Sequence, residues 1–238
     1  MNRTENVKDL SKLHRIFAII LFLSLLAGLI FSTVQLIGAP LENNGDEAQR
    51  TKSDYTLMVV ECIAGLLVMM LPSVLERRLS LHIPHLMYVL YDVFLYCAVF
   101  LGEVHDFYYR VPHWDSILHF FSGLMLGTLG FILVDFLNRS NKTKVTLSPA
   151  FVSIFAFCFA LAVGSIWEIY EYTMDGVMGL NMQKYLLADK TVLIGRDALQ
   201  DTMKDIIIDA AASLLAAVMG YLSIKKRSNM QSSSDVRD

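Results

Sequence analysis

The chain has 238 residues, of which 55% are hydrophobic and 18% charged, and its 20 basic and 23 acidic side chains give a net charge of −3. Soluble domains carry about 25% charged residues, so this composition excludes a soluble enzyme and a disordered chain. The charge balance gives no indication of nucleic-acid binding, and three cysteines are too few for a disulfide framework. The composition is that of a membrane protein.

Six apolar runs are long enough, or nearly so, to cross a bilayer core, which takes about 20 residues of helix. In chain order they are residues 16–37, 57–75, 84–101, 114–137, 149–172 and 205–224. The first run follows a basic segment, residues 1–15, but it is too long for the apolar part of a signal peptide, so we expect an uncleaved span. The sequence therefore predicts an all-α polytopic transmembrane helical bundle of six spans, a single membrane domain over residues 16–224.

The distribution of basic residues predicts the orientation of the spans. Six crossings place 13 Lys and Arg residues on one side of the membrane and seven on the other. Because the basic side is cytoplasmic, we expect both termini in the cytoplasm and the long connection 173–204 outside. Residues 225–238 are polar and Ser-rich, which predicts a disordered cytoplasmic tail.

Ionisable residues are concentrated near the predicted outer ends of the last three spans. Such groups are costly inside a membrane, so they are expected to face the bundle interior. The fourth span begins with Asp115 and His119, one helical turn apart. The outer end of the fifth span and the chain that leads into the sixth carry carboxylates at steps of three or four residues, namely Glu168, Glu171, Asp175, Asp197, Asp201, Asp205 and Asp209.

Rise along the helix places the deepest of these groups at a similar level, roughly 6–8 Å below the outer boundary. Several carboxylates this close require a cation, raised pKa values or water. Oxygen-rich sites suit Mg²⁺, Mn²⁺ or Ca²⁺ better than zinc. The predicted metal ligands are His119, Glu168, Glu171, Asp205 and Asp209, with Asp115 and Asp201 as weaker candidates. Glu61 of the second span and Glu103 after the third are also near the outer end, and either could join them. The sequence does not identify a catalytic residue. The candidates for such a role are Glu168, Asp209 and Arg196.

Other interpretations of the same residues stay open. Glu168 and Glu171 lie beside Trp167, Tyr170 and Tyr172 and also fit an aromatic belt at the membrane surface. The leading hypothesis is a divalent-metal site that acts on a lipid-linked or envelope substrate. The alternative is a cation- or proton-coupled transporter that uses these carboxylates and Asp92, a charged residue midway through the third span. A further alternative is a non-catalytic accessory membrane protein.

Three motifs in the second half of the chain carry a resemblance to a known family. They are W-D-S-I-L-H-F-F-S-G at 114–123, W-E-I-Y-E-Y-T-M-D at 167–175 and D-T-M-K-D-I-I-I-D at 201–209. In this order they resemble the YjdF-like family of small bacterial inner-membrane proteins, and more faintly the VanZ-like membrane proteins. The resemblance implies a multi-pass protein of a bacterial cytoplasmic membrane, in contact with membrane lipids, and it carries no reaction with it.

Overall fold

The structure is a computed structural model that describes residues 3–41, 50–139, 147–187 and 191–235. Within these ranges the chain is helical and contains no strand beyond one isolated bridge between Leu186 and Val192. The helices are α1 (Arg3–Gly38), α2 (Lys52–Val68), α3 (Leu71–Leu79), α4 (His85–Leu95), which continues as a π-helical segment (Tyr96–Val104), α5 (Phe107–Arg110), α6 (Trp114–Arg139), α7 (Pro149–Met178) and α8 (Gln200–Asp235).

Six stretches of these helices are long and apolar enough to cross a membrane. Among the described residues they are Lys8–Gly38, Lys52–Leu79, His85–Val104, Trp114–Asn138, Pro149–Met178 and Gln200–Met230. The predicted all-α fold with six spans is therefore confirmed. The cytoplasmic location of the termini stays a prediction.

The last helix differs from the expected end of the chain. Residues 225–235, for which the sequence predicted a disordered tail, continue α8. The segment contains neither Gly nor Pro, so its backbone is free to extend a helix that the membrane span has already nucleated. Residues 1–2, 188–190 and 236–238, which belong to the predicted N-terminal segment, outer connection and tail, lie outside the described residues.

The second span is broken into α2 and α3 because of Pro72. Proline has no backbone N–H and cannot donate to the carbonyl of Val68, four residues earlier. The hydroxyl of Tyr91, from α4, donates a hydrogen bond of 2.7 Å to this carbonyl oxygen. A side chain of the next span thus satisfies the backbone group that the proline leaves without its helical donor.

The third span changes its helical geometry before it ends. From Tyr96 onward the hydrogen bonds follow a π-helical pattern, and the amide of His105 donates to the carbonyl of Phe100, 3.2 Å away. The buried Gly102 lies in this segment, and a Cβ atom there would approach the ring of Tyr108 to 2.5 Å. The glycine therefore lets α5 lie close against the π-helical segment.

The chain divides into two compact units. The first unit comprises Met1–Leu118 and Glu168–Asp205, and the second comprises His119–Trp167 and Ile206–Asp238. In the first unit, α1 packs against α2 and α4. Its core is aliphatic and is formed by the buried side chains Leu21, Leu25, Cys62, Leu95 and Val99.

The second unit is packed through small residues. A Cβ atom on Gly123 would lie 2.8 Å from that of Ala212, and one on Gly130 would lie 2.8 Å from the Cα atom of Ala156. Apolar side chains gain little by leaving lipid for a helix interface, so close backbone approach supplies the attraction instead. Glycine and alanine make this approach possible.

Candidate functional site

The predicted site residues fall into both units. Asp115, Glu168, Glu171, Asp201 and Asp205 lie in the first unit, whereas His119 and Asp209 lie in the second. Arg196 is exposed in the turn that precedes α8. Each unit is described in its own right.

Lys184 lies among the carboxylates of the first unit. Its Nζ atom is 2.5 Å from Asp115 Oδ2 and 3.7 Å from Asp201 Oδ2, and it lies 4.7 Å from the centroid of the Tyr108 ring. Burial by itself lowers the pKa of Lys184, but the carboxylates outweigh burial and raise this pKa above its ordinary value. The ammonium group is therefore held in its charged form.

The loop after α7 fixes the position of this lysine. Asp175, in the last turn of α7, accepts hydrogen bonds from the amides of Met182 and Gln183, at 2.8 and 3.0 Å. The side chain of Gln183 donates a further bond of 2.7 Å to the hydroxyl of Thr202 on α8. Lys184 itself adopts a φ of 50°, a region that non-glycine residues rarely occupy. The loop thus ties α7 to the start of α8 and holds Lys184 in one place.

Asp115 and Asp205 bring two carboxylates of the first unit close together. Each offers an oxygen atom within 4.8 Å of the other. Asp205 is 2% exposed, and Glu168, on α7, is 4% exposed. Two oxygens that bind one Mg²⁺ or Ca²⁺ ion at about 2.0–2.6 Å lie no more than about 5.2 Å apart, so this spacing is compatible with a shared ion.

Further carboxylates lie within electrostatic range of Tyr108, on α5. Burial raises the pKa of the Tyr108 hydroxyl well above its ordinary value, and four neighbouring carboxylates raise it further. These four belong to Glu61, Glu103, Asp115 and Glu171. Glu171 in turn lies within electrostatic range of Glu168. We refer to the whole group in the first unit as the acidic cluster: Glu61, Glu103, Asp115, Glu168, Glu171, Asp201 and Asp205.

In the second unit the structure brings His119 and Asp209 together. The Nδ1 atom of His119 lies 3.4 Å from both carboxylate oxygens of Asp209, and both residues are buried. A Cβ atom on Gly164 would collide with the Asp209 carboxylate, so this glycine leaves the space that the side chain occupies. The predicted role of both residues as metal ligands stays a prediction.

Sequence reasoning missed two members of the site and ranked two others as optional. Lys184 and Tyr108 are absent from the predicted set, and Glu61 and Glu103 were only possible additions to it. Nothing in the local pattern marks one lysine in a long polar connection. A signal was present for Glu61 and Glu103, because each is a lone carboxylate at the end of an apolar run.

Comparisons with known proteins show which family of chains this sequence matches. A protein-family model described as "Predicted membrane protein (DUF2238)" matches residues 17–226. A protein of Thermotoga maritima, described as uncharacterized, is 24% identical over 151 residues, which are 63% of this chain and 69% of the relative. No solved structure matches the chain. These matches lend no support to the fainter likeness to VanZ-like proteins.

Proposed function

Because the chain belongs to the DUF2238 family of predicted membrane proteins, we propose that it is a YjdF-like multi-pass protein of a bacterial cytoplasmic membrane and that its acidic cluster binds a divalent cation. The bound ion would then act on a lipid-linked or envelope substrate. The observation that carries this proposal is the pair of oxygens on half-buried Asp115 and buried Asp205, which lie within 4.8 Å of each other in a unit that holds further carboxylates within electrostatic range of Asp115's neighbour Tyr108.

The electrostatic balance of the cluster supports a cation. Seven carboxylates belong to it, and Lys184 supplies one positive charge next to Asp115 and Asp201. Ionised carboxylates in a low-dielectric interior are costly unless a counter-charge compensates them. A divalent ion compensates two at once, and oxygen ligands favour Mg²⁺, Mn²⁺ or Ca²⁺.

Such an ion has two common uses in a membrane enzyme. It lowers the pKa of a bound water, or it clamps the oxygens of a phosphate. Within this proposal Glu168 is a candidate general acid or base, because it is buried and lies near the other carboxylates. Asp209 and Arg196 remain candidates for the same reaction on sequence grounds alone.

The experiment measures cation binding by the purified full chain. We expect the wild-type protein to retain Mn²⁺ after dialysis, as measured by elemental analysis, and to bind it in titration calorimetry. The double variant Asp205→Asn with Glu168→Gln should lose at least about tenfold in affinity, since each change removes a charged oxygen ligand. The matched control is Asp197→Asn, an exposed carboxylate just before α8. Metal content that is the same in all three proteins contradicts the proposal.

A second candidate function is cation- or proton-coupled transport. It is favoured by a pair of ionisable residues on two spans of the first unit: Oδ2 of the buried Asp92 lies 3.1 Å from Nδ1 of His14. Chains of ionisable residues within spans are typical of proton relays. Proteoliposomes that hold the protein and a pH-sensitive dye test this function. The absence of flux under an imposed proton or cation gradient contradicts it.

A further inference from the structure

A cavity of about 830 Å³ opens in the first unit beside the acidic cluster, whose Glu103 lies within electrostatic range of the lining residues Arg50 and Asp106. Its lining comes from the second half of α1, from the start of α2, and from the π-helical segment with the α5 turn. None of the lining residues belongs to the acidic cluster. Its volume lies within the range of roughly 300–1,000 Å³ that is typical of small-ligand sites.

One part of the cavity is apolar. Its walls include Ala27, Phe31, Val34 and Phe100. From Ala27 to Gly38 the wall follows twelve residues of α1, which at a rise of 1.5 Å for each of eleven steps is about 16 Å. This length is close to half of a bilayer core of about 30 Å, the depth of one leaflet.

The other part of the cavity is a polar rim. It contains Arg50, His105, Asp106 and Arg110. The spans end at this level, because α1 stops at Gly38, the second span begins at Lys52 and the third stops at Val104. The rim therefore lies where lipid headgroups lie, and the apolar walls lie where acyl chains lie.

The rim carries an excess of positive charge. Arg50 is held in place by an ion pair with Asp106 and by a hydrogen bond of 3.2 Å to the carbonyl of Val104. Arg110 lies 3.4 Å from the same carboxylate, but its side chain is 71% exposed. Two guanidinium groups thus share one carboxylate, and the side chain of Arg110 is largely accessible. Guanidinium groups bind phosphate strongly because their planar donors match its oxygens.

We propose that this cavity binds an anionic phospholipid, with its phosphate on Arg110 and Arg50 and an acyl chain along α1. The combination of a cationic rim at headgroup level and an apolar groove one leaflet deep fits an amphipathic anion. A free phosphate would use only the cationic rim, and an uncharged lipid would use only the apolar groove. The site does not depend on the cation site proposed above, and it is tested by a separate measurement.

The experiment is native mass spectrometry of the full chain in detergent with added lipid. We expect 1-palmitoyl-2-oleoyl-phosphatidylglycerol to be retained at least about tenfold more tightly than the matching phosphatidylcholine, which carries no net charge. Arg110→Gln should remove most of this preference, since a charge-assisted contact is lost. Arg78→Gln, an exposed arginine on α3, is the matched control and should retain it.

Two further measurements separate the parts of the proposal. Ala27→Trp, on the exposed apolar wall, should weaken binding of both lipids because it fills the groove. Free glycerol phosphate at millimolar concentration should not compete, since it has no acyl chain. Equal retention of the two lipids, or an equal effect of Arg110→Gln and Arg78→Gln, contradicts the proposal. Full competition by glycerol phosphate also contradicts it, because the site would then bind phosphate alone.

Discussion

The two units of the molecule are stabilised in different ways. The first unit has an aliphatic core and, at one end, a set of carboxylates held around Lys184 and Tyr108. In the second unit, small residues allow helix backbones to approach closely, and its buried ionisable pair is His119 with Asp209. The comparison shows two ways of holding spans together: small residues give close backbone approach in the second unit, whereas carboxylates gathered around one lysine are added to the aliphatic core of the first.

The largest effect is expected for Lys184→Met, which leaves Asp115 and Asp201 without their nearest positive charge. Breaking a buried ion pair costs about 3–5 kcal/mol, and we expect about 2–3 kcal/mol here because the lysine side chain is 23% exposed. The measurement is the thermal unfolding midpoint of the full chain in detergent. The double variant Lys184→Met with Asp115→Asn should recover part of the loss.

This effect also has a defined pH dependence. The folded-state pKa of Lys184 is raised, so its contribution is fully present below the unfolded-state pKa of about 10.4 and is lost as the pH rises through the higher folded-state value. The destabilisation by Lys184→Met should therefore stay constant between about pH 7 and pH 9. A loss that changes by more than half over this window contradicts the ion-pair explanation.

A smaller effect, about 1–3 kcal/mol, is expected for Gly130→Ala in the second unit. The new Cβ atom would lie 2.8 Å from the Cα atom of Ala156, and backbone cannot move aside as a flexible side chain can. Gly176→Ala is the matched control, because no atom lies within 4 Å of its added Cβ. The control should be neutral or slightly stabilising, since alanine is the better helix former. Equal unfolding midpoints for both variants would show that close approach is not what stabilises this unit.

Tyr91→Phe should cost about 1 kcal/mol in the first unit. The substitution removes the hydroxyl that donates to the Val68 carbonyl, the group that Pro72 leaves without a helical donor. Tyr172→Phe, on a side chain that is 71% exposed, is the control and should have no measurable effect. The readout is the same unfolding midpoint. A neutral Tyr91→Phe would mean that another group satisfies this carbonyl.

The smallest effect is expected for Asp209→Asn, at most about 1 kcal/mol. Asparagine has the same size, fills the space beside Gly164 and still hydrogen-bonds His119, whose nitrogen lies 3.4 Å away. The calorimetric titration with Mn²⁺ provides the second readout and tests whether Asp209 is a ligand, as the sequence predicts. A stability loss greater than that of Lys184→Met would reverse the comparison between the units.

The number of spans was predictable, but their internal breaks were not predicted. Each span is a continuous apolar run, and its length alone decides whether it crosses a bilayer. Pro72 was a sequence signal for the break before α3, but a hydropathy profile does not detect the loss of one backbone hydrogen-bond donor. The π-helical segment has no comparable signal in the sequence, and the close approach of Tyr108 to Gly102 is visible only in the fold.

The acidic residues show the limit of a helical spacing argument. The sequence places Asp197, Asp201, Asp205 and Asp209 on one face, but α8 begins only at Gln200, so Asp197 lies in the turn before it. Four residues advance a helix by about 400°, so two such steps rotate a side chain by about 80°. The same eight residues also advance the helix by about 12 Å, so Asp201, which contacts Lys184, and Asp209, which contacts His119, differ in both direction and position along α8.

The sequence by itself determined that this is an all-α membrane protein with six spans and with buried carboxylates on its last three helices. Those properties depend on hydropathy and on local residue spacing, and both can be read directly from the linear sequence. Only the tertiary structure decided which carboxylates share a positive charge, because Lys184 reaches Asp115 across 69 residues of sequence. Electrostatic interactions act through space, so an ion pair between residues that are far apart in the sequence produces no periodic pattern by which it could be predicted.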